Sequence, residues 1–484
     1  MEALNFALVL PVVALAAYGL LTLVLVPAFR SGTRVLGGIA LVGLAFTGYT
    51  LVRLWGMTAE YGALETAYGM VHVDRLGLVF SGILLVVGAL SVLVSLSFLE
   101  REQADQGEFY ALILFCLAGM VAMTLTTHLM VVLVGLEVFS LALYVVTGLT
   151  RTRARSVESA LKYFLLGAFS SGFIVYGLAL LYGAAGSLDM QRISAAAAGG
   201  PTPLLWIGLG LVLIGLAFKI AVVPFHQWVP DVYQGAPTNV TGFMAAATKT
   251  AAFAVLIRLL IGAFGAQDDV WVPLISWLSI LTMTVANLVA LAQTDLKRLL
   301  AFSSIAHAGY LLIAVVSRPD QGVGAIVFYL ASYALMTVGA FAVLAAAGRA
   351  TADGEQGYAL SDWAGMGWRR PVLGLALAFF LFSLAGIPPT SGFLGKYVIF
   401  KAAIGSHRYL LAVAGVLNAG LAAYYYLRVV VTIYMSDPQT DELPLPLSPG
   451  TATVMLVAVA GVIWLGVAPG PLLDLVSDLT RYLI

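Results

Sequence analysis

The sequence predicts an all-α polytopic membrane protein of about 14 transmembrane helices, arranged as two inverted five-helix repeats with discontinuous helices 7 and 12. The first observation is composition: 61% of the 484 residues are hydrophobic, 10% are charged, and the mean hydropathy is +1.00. A soluble domain carries about 25% charged residues. The second is a series of apolar runs of about 20 residues, which is the length that crosses a bilayer. The third is that proline and glycine interrupt two of these runs.

Charge balance and cysteine content exclude several classes of protein. Lysine plus arginine and aspartate plus glutamate each total 24, so the chain offers no basic surface for a nucleic acid. The single cysteine, Cys116, lies inside an apolar run, so this chain can build neither a disulfide framework nor a cysteine-ligated cluster. Any redox centre is therefore expected in partner proteins.

The apolar runs define the predicted spans in order. The first run lacks a basic start and is longer than the apolar part of a signal peptide, so it is predicted to be a retained span. The fourth and fifth runs are divided at the turn Thr126-Thr127-His128. The predicted spans are 4–27, 34–55, 75–98, 108–127, 129–149, 158–183, 204–224, 237–263, 271–292, 298–317, 322–347, 371–405, 408–434 and 450–470.

These spans predict one membrane domain over residues 1–484. The longest polar connection, about 348–370, is too short to form a soluble domain. Lysine and arginine are more numerous on one side, which is predicted to be cytoplasmic, so both termini are expected outside the cytoplasm. The richer side holds Arg30, Arg34, Arg101, Arg151, Arg153, Arg155, Lys297, Arg298, Arg349, Arg369 and Arg370, and the other chiefly Arg53, Arg75, Arg192, Arg318, Arg408 and Arg481.

Two internal echoes predict the repeats. The seventh span is interrupted at Val223-Pro224-Phe225 and the twelfth at GIPPTSG, residues 386–392. Proline removes a backbone donor and glycine loosens the helix, so both spans should open there. In addition, THLMVVLVGLEVFSLALY at 127–144 matches TDLKRLLAFSSIAHAGYL at 294–311 in its polar spacing. Repeat one is therefore placed at about 108–263, repeat two at about 271–434, and the flanking helices at 4–98 and 450–470.

Five ionisable residues lie inside predicted spans: Glu137, Lys219, Lys249, His307 and Lys396. Each costs roughly 2.5–3.5 kcal/mol at a helix centre on insertion scales, so such residues are functional candidates. The alternative is that they snorkel or form structural ion pairs. About 18 Å of helix rise argues against snorkelling by Lys249. For Lys219, Lys396 and His307 a purely structural role stays open.

For Lys162 a structural and a functional role both stay open, because it lies in the first turns of its span and can pair with Glu158 at i,i+4. Structural roles are predicted for the other charged residues near span ends. Arg258 and Lys401 lie toward span ends, where snorkelling is expected. Asp295, with the adjacent Lys297 and Arg298, is predicted to form a loop cluster.

Buried lysines suit proton transfer. In water, a lysine keeps its proton at neutral pH, whereas desolvation favours its release and a nearby carboxylate opposes that release. Glu137 and Lys219 could form such a switchable pair, and the broken helices would admit the water that a proton path needs. Lys219 is therefore predicted to be a proton site that the break at Pro224 helps to hydrate.

Four stretches together resemble the antiporter-like membrane subunits of respiratory complex I, over roughly residues 70–470. They are PFHQWVPDVYQGAPTNVTGFMAAATKTAAF at 224–253, RLLAFSSIAHAGY at 298–310, LKYFLLGA at 161–168 and GIPPTSGFLGKYVIF at 386–400. Within that family, the lysine of GFLGKY resembles the subunit-N branch, because subunit M has a glutamate there. Subunit L has a long C-terminal lateral helix, and nothing after about residue 470 could supply one.

The resemblance implies a role for each matching residue. It implies proton transfer by the fifth-helix glutamate, the seventh-helix and eighth-helix lysines and the twelfth-helix lysine, with two family histidines in support. In this sequence these residues are Glu137, Lys219, Lys249 and Lys396, supported by His226 and His307. Lys162 is kept as a further supporting candidate.

The resemblance also implies the setting of that chemistry. NADH, FMN, iron–sulfur clusters and quinone would be handled by other subunits, and this chain would hold no cofactor and no metal. Expected partners are the antiporter-like subunit M, the small subunits of K, J and A type, and lipids, in a bacterial inner membrane. Two alternatives stay open: a subunit of an Mrp-type cation/proton antiporter or membrane-bound hydrogenase, and a passive scaffold that moves no ions.

Overall fold

The computed structural model describes residues 5–29, 33–101, 106–200, 202–348, 357–438 and 447–483. In these ranges, 12 helices are long and apolar enough to cross a bilayer alone. The shorter apolar helix at Glu108–Thr124 and the two half-helices at Pro371–Ala385 and Ser391–Gly405 complete the crossings, in agreement with the predicted number of about 14. Of the arginines used to predict orientation, Arg30 and Arg349 lie outside the described residues.

The helices follow the predicted apolar runs closely. The turn at 126–128 and the twelfth span at 371–405 agree with the prediction, whereas the second helix, Thr33–Tyr61, runs several residues past its predicted end at 55. The helices are α1 (Phe6–Leu25), α2 (Thr33–Tyr61), α3 (Arg75–Arg101), α4 (Glu108–Thr124), α5 (Leu129–Thr147), α6 (Ala154–Ala185), α7 (Met190–Ala198), α8 (Pro203–Ile220), α9 (Trp228–Gly235), α10 (Thr238–Ile257), α11 (Asp268–Leu291), α12 (Leu296–Val315), α13 (Pro319–Ala347), α14 (Met366–Arg369), α15 (Pro371–Ala385), α16 (Ser391–Gly405), α17 (Tyr409–Met435), α18 (Pro449–Val467) and α19 (Gly470–Val476).

Short elements that the sequence analysis missed lie between the spans. An antiparallel hairpin, β1 (Leu64–Thr66) and β2 (Val71–Val73), follows α2, and the short helix α7 follows α6. Asp189 caps α7 by accepting a hydrogen bond from the main-chain N–H of Arg192 at 3.0 Å. These segments are too short and too polar to give a periodic signal.

The end of the bundle that carries the hairpin is called face A, and the opposite end face B. The N–H of Asn5 donates to Thr66 Oγ1 at 2.9 Å, so the described start of the chain lies at face A. Arg258, just past the end of α10, donates to the carbonyl oxygen of Tyr482 at 2.9 Å and to Asp74 Oδ1 at 2.8 Å. Both described ends of the chain therefore lie at the same face.

The two repeats begin their second helices in the same way at opposite faces. At face A, the N–H of Leu129 donates to the carbonyl of Leu188 at 2.9 Å. At face B, the N–H of Leu296 donates to the carbonyl of Tyr358 at 2.8 Å. In each case the acceptor follows the third helix of the repeat, and a second bond runs in the opposite direction. These matched bonds place α5 and α12 in equivalent, inverted positions.

Both predicted breaks are present. The first begins earlier than predicted, because α8 ends at Ile220 and Ala221 takes a left-handed conformation (φ 65°) before α9 continues the span. The second begins at Gly386 (φ 91°), and α16 continues from Ser391. Ala221 and Gly386 end the first half-helix of each broken span in the same way, because a residue with positive φ ends an α-helix.

Helix α10 forms the centre of the protein, and all 20 of its residues are buried. Small residues let its neighbours approach closely: a Cβ on Gly242 would lie 2.9 Å from the Phe341 Cβ of α13. In a bilayer such packing takes the place of the hydrophobic effect in joining helices. The lysine that α10 carries is therefore remote from lipid.

A buried ion pair fixes α10 to the hairpin at face A. Arg258 is 1% exposed and its Nη2 lies 2.7 Å from Oδ2 of Asp74, which is fully buried. His72 bridges this pair to the surface, with Nε2 3.2 Å from Asp74 Oδ2 and Nδ1 2.9 Å from Glu65 Oε1. The interpretation of Arg258 as a snorkelling residue is therefore wrong.

Candidate functional site

The predicted proton site in the seventh span lies in the last turn of α8. Lys219 is 2% exposed, and its Nζ donates to Ser140 Oγ at 2.8 Å and approaches the Tyr144 hydroxyl at 3.5 Å. Both partners belong to α5. The Nζ also lies 5.5 Å from the centre of the Phe139 ring. Hydroxyl and aromatic groups thus surround this ammonium group.

Glu137 lies one helical turn before Ser140 on α5. It interacts electrostatically with Lys219, but the two side chains form no direct ion pair in the described part of the chain. Its Oε1 is buried and has no hydrogen-bond partner among the described residues. The carboxylate is therefore near the lysine without being fixed to it, and a small movement could change their interaction.

Lys249 lies midway along α10 and binds α12. Its Nζ donates to the carbonyl oxygen of Ser304 at 2.6 Å and also to the hydroxyl of that serine. The hydroxyl of Tyr333, on α13, donates to the same serine oxygen at 2.8 Å. The hydrogen-bond acceptors of Lys249 are thus two neutral oxygen atoms of Ser304, and the ring of Tyr333 on α13 lies with its centre 5.5 Å from the Nζ.

His307 lies in α12, one turn beyond Ser304. Its Nδ1 is 2.5 Å from the Tyr329 hydroxyl, and its Nε2 is 3.2 Å from the Tyr426 hydroxyl. It lies within electrostatic range of Lys249 and Lys396. The ring is therefore held between two hydroxyl groups, each of which can exchange a proton with it.

The side chain of Lys396 reaches across the break of the twelfth span. It belongs to α16, but its Nζ donates to the last carbonyls of α15, those of Leu384 at 2.9 Å and Ala385 at 2.8 Å. The ammonium therefore sits at the negative end of the α15 helix dipole. It also lies 5.2 Å from the centre of the Tyr310 ring, which in turn packs on His307.

Aromatic side chains connect these groups across the centre of the bundle. A row of rings begins beside Lys219 and ends at Ser304, which interacts with the last of them and binds Lys249. The row consists of Tyr144, Tyr163, Trp228 and Tyr233. Beyond Ser304, Tyr333 packs on His307 with ring centres 5.1 Å apart. The buried charges are thus linked from repeat one to repeat two.

The two remaining predicted site residues, His226 and Lys162, lie apart from the connected buried charges. His226 is half-buried in the seventh-span break, and no hydrogen bond, ion pair or ring contact in the described ranges joins it to the four central charges. Lys162 lies at face B and forms the predicted bond with Glu158 at 2.7 Å. It also binds Asp231 at 2.9 Å, which in turn binds Arg298 at 2.6 Å. The sequence analysis missed Asp231 because its partners lie on other helices.

The sequence analysis also missed the hydroxyl partners of the buried charges. These partners are Ser140, Tyr144, Ser304, Tyr329, Tyr333 and Tyr426. A serine or tyrosine in an apolar span gives no signal of its own. The polar spacing shared by 127–144 and 294–311, however, places Ser304 opposite Glu137 and Ser140 opposite His307.

The arrangement can hold protons and pass them along. Lys249 and Lys396 have no carboxylate partner among the described residues, so their charged forms are stabilised only by oxygen dipoles and rings. Each lysine contacts a carbonyl or hydroxyl oxygen, and hydroxyl groups both accept and donate protons. Buried cations that alternate with hydroxyls are the chemistry of a proton relay.

Comparison with known proteins gives a consistent result. A family described as NADH:quinone oxidoreductase/Mrp antiporter, TM, matches residues 126–422. The NADH-quinone oxidoreductase subunit N of Trichlorobacter lovleyi is 40% identical over 486 residues, covering 99% of this chain and 98% of that protein. Subunit N 1 of Herpetosiphon aurantiacus is 41% identical over 471 residues, covering 94% of this chain and 93% of that protein.

Solved structures give the same picture of the fold. A chain of respiratory complex I from Thermus thermophilus with bound aureothin is 36% identical, with a TM-score of 0.81, covering 96% of this chain and 99% of that chain. A chain of the Mrp complex from a Dietzia species has a TM-score of 0.85 and covers 98% of this chain and 97% of that chain. It is 21% identical, so that likeness concerns the fold alone.

Proposed function

This chain belongs to the NADH:quinone oxidoreductase/Mrp antiporter family of membrane proteins, and from that premise we propose that it is the N-type, proton-translocating membrane subunit of an NADH:quinone oxidoreductase. It is one subunit of a multi-subunit membrane complex, and the enzyme activity belongs to that complex. The observation that carries the proposal is the line of buried charges from Lys219 through Lys249 and His307 to Lys396.

The proposed proton path follows that line. A change in the charge or position of Glu137 alters how firmly Lys219 holds its proton. Protons then pass, with the help of water, through Lys249 and His307. Lys396 controls exchange with face A, because α16 runs from the centre of the bundle to that face. Each step moves a proton between groups of this chain, and none requires a redox centre in it.

The redox chemistry is assigned to other subunits. FMN and iron–sulfur clusters there would carry electrons from NADH to quinone, and this chain would hold no cofactor. The proposed neighbours are an antiporter-like subunit of M type, small membrane subunits of K, J and A type, and lipids. Electrostatic or conformational coupling would bring the energy of quinone reduction to Glu137.

The proposed location is a bacterial inner membrane, with face B toward the cytoplasm. Arg151, Arg153 and Arg155 follow α5 at face B, and Lys297 and Arg298 begin α12 there. An excess of lysine and arginine marks cytoplasmic loops. Both termini would then lie outside the cytoplasm, at face A.

The first test uses the complex purified through a tag on this chain and reconstituted in vesicles. We expect NADH and quinone to acidify the vesicle interior and a redox inhibitor to stop the acidification. If NADH has no effect and an imposed sodium or proton gradient drives exchange instead, the chain is an antiporter subunit and the proposal is wrong. If neither drives ion movement, the scaffold alternative stands.

A second test addresses the proton path directly. In the assembled complex, Lys396→Ala should slow proton transfer by about 10²–10⁴-fold, the usual contribution of a positioned acid or base. Lys401→Ala is the matched control, because Lys401 lies on the same helix but is exposed. An unchanged proton-to-electron ratio and turnover in Lys396→Ala would refute the role of Lys396.

A further inference from the structure

Ser304 has a carboxylate as its counterpart in the first repeat. Leu129 and Leu296 start their helices at the matched main-chain bonds of the two faces, so equal positions in α5 and α12 correspond. Counted from these residues, Glu137 and Ser304 stand at the same position. The second repeat therefore has a serine where the first has a carboxylate.

Three side chains meet at Ser304. Lys249 binds both its carbonyl and its hydroxyl oxygen, and Tyr333 donates to the hydroxyl at 2.8 Å. Tyr233, on the second half of the broken seventh span, also interacts with this serine. Ser304 is 1% exposed. It thus connects Lys249 with Tyr233 of repeat one and with Tyr333 of repeat two.

The difference between a carboxylate and a hydroxyl matters at this position. A carboxylate stabilises an adjacent ammonium ion strongly, particularly where water is excluded. A hydroxyl stabilises it only as a dipole and can itself carry a proton. A lysine beside a serine is therefore readier to release its proton than one beside a glutamate.

We propose that Ser304 sets how readily Lys249 releases its proton and that its hydroxyl joins Lys249 to Tyr333 on the way to His307. In the transfer, an N–H bond of Lys249 breaks as an O–H bond forms at Ser304, and after the hydroxyls reorient the serine's own proton passes to the Tyr333 oxygen. Tyr333 at the same time releases its own hydroxyl proton toward the ring of His307, with the help of water. Lys249 ends neutral, His307 gains the proton, and the serine and the tyrosine are both left neutral. This inference rests on the proposed function of the chain.

The test compares four changes in the assembled, reconstituted complex. Ser304→Ala and Ser304→Cys remove the strong acceptor, and Cys preserves most of the volume while accepting only weakly. Ser304→Thr keeps the hydroxyl, and Ser304→Glu installs the carboxylate of the first repeat. Ser332→Ala is the matched control, because its hydroxyl is fully buried on α13 and has no hydrogen-bond partner among the described residues.

The readouts are the amount of assembled complex, NADH:quinone turnover, the proton-to-electron ratio and the pH profile of pumping. We expect Ser304→Ala and Ser304→Cys to reduce pumping by about tenfold, the value of a hydrogen bond to a charged group. The alkaline limb of their pumping profile should move to lower pH. Ser304→Glu should move that limb to higher pH by about one unit or more. Ser304→Thr and Ser332→Ala should keep the original profile.

Lys249→Ala separates failure of the inference from failure of the proposed function. If Lys249→Ala stops pumping while Ser304→Cys and Ser304→Glu keep the original pH profile, Ser304 does not control Lys249 and the inference is wrong. If Lys249→Ala pumps normally, the proposed proton path is wrong, and the inference fails with it.

Discussion

At the scale of the residue, Asp74 binds three partners at face A. Its two oxygen atoms bind Arg258 and His72, and it also caps α3 by accepting from the N–H of Gly77 at 2.7 Å. Asp74 and Arg258 are both shielded from solvent. If one of the two is removed, water therefore cannot take its place beside the other. A buried charge that loses its partner is destabilising by several kcal/mol.

We therefore expect Asp74→Ala to lower the free energy of unfolding by about 3–5 kcal/mol, because Arg258 is left buried and unpaired. Unfolding of the purified chain in mild detergent, followed by circular dichroism, measures this loss. The double variant Asp74→Ala with Arg258→Leu should be more stable than Asp74→Ala alone. A loss below about 1 kcal/mol, the range of exposed ion pairs, would contradict this view of the pair.

The same residues predict how stability depends on pH. Burial alone would lower the pKa of His72, but its bonds to Asp74 and Glu65 raise it above the ordinary value. Burial would raise the pKa of Asp74, but Arg258 and His72 hold it below the ordinary value. The stabilisation from His72 is therefore lost as pH rises through its folded pKa, and that from Asp74 as pH falls through its own.

Stability should thus be greatest between these two transitions. Melting temperatures measured from about pH 3 to about pH 9 bracket the ordinary pKa values of both groups. We expect His72→Gln to lose the alkaline decline and to keep the acid one. An unchanged alkaline decline in His72→Gln would show that another group causes it.

At the scale of the element, the two broken spans end their first halves with different residues. Gly386 has φ 91°, which glycine adopts readily, whereas Ala221 has φ 65°, where a side chain is unfavourable. A Cβ on Gly386 would lie 3.1 Å from Cδ of Lys396. The second break therefore needs a glycine both for its backbone and for the lysine that crosses it.

Gly386→Ala should accordingly destabilise the protein by about 1–2 kcal/mol, the cost of a left-handed L-residue, and displace Lys396. Its effect on unfolding in detergent and on pumping in the assembled complex can be measured together. Ala221→Gly is the opposite change at the matched position and should leave stability unchanged or improve it. Equal effects of the two substitutions would contradict the argument.

At the scale of the whole molecule, inversion makes the two faces structural counterparts. At face A, Arg258 donates to the carbonyl of Thr124 at the end of α4, at 3.4 Å. At face B, Arg428 donates to the carbonyl of Leu291 at the end of α11, at 2.6 Å. Arg258 directly follows the fifth helix of repeat one, and Arg428 lies within the fifth helix of repeat two. Each arginine thus binds the C-terminal end of the first helix of its own repeat. The faces differ in charge, and that difference predicts the orientation.

Orientation can be tested with single cysteines, because native Cys116 is buried and should not react. Thr152 and Gln191 are exposed, at face B and face A respectively. In intact cells a membrane-impermeant maleimide should label Gln191→Cys, and it should label Thr152→Cys only after permeabilisation. The reverse pattern would place face B outside and overturn the proposed topology.

The sequence was sufficient to predict local features, such as the transmembrane helices, from the lengths of the apolar runs, and the break at 386–392. It did not show that Ala221 ends α8, because alanine rarely takes positive φ. Nor did it show that Arg258 is paired, because Asp74 lies 184 residues away. The buried charges could be found from their cost in a membrane, but their hydroxyl partners are set by tertiary packing. Roles for Glu137, Lys219, Lys249 and Lys396 stay predictions until the variants are measured.

The central position of α10 also has a consequence for synthesis of the chain. When α10 leaves the ribosome, α3 is already in the membrane, so Asn239 can bind Ser95 and Arg258 can bind Asp74. Lys249, however, must wait for Ser304, 55 residues later, about 3–11 s at about 5–20 residues per second. Until then its charge has no protein acceptor on α12, and an insertase or trapped water must shelter it. Slowing translation between α10 and α12 should therefore increase degradation of the nascent chain.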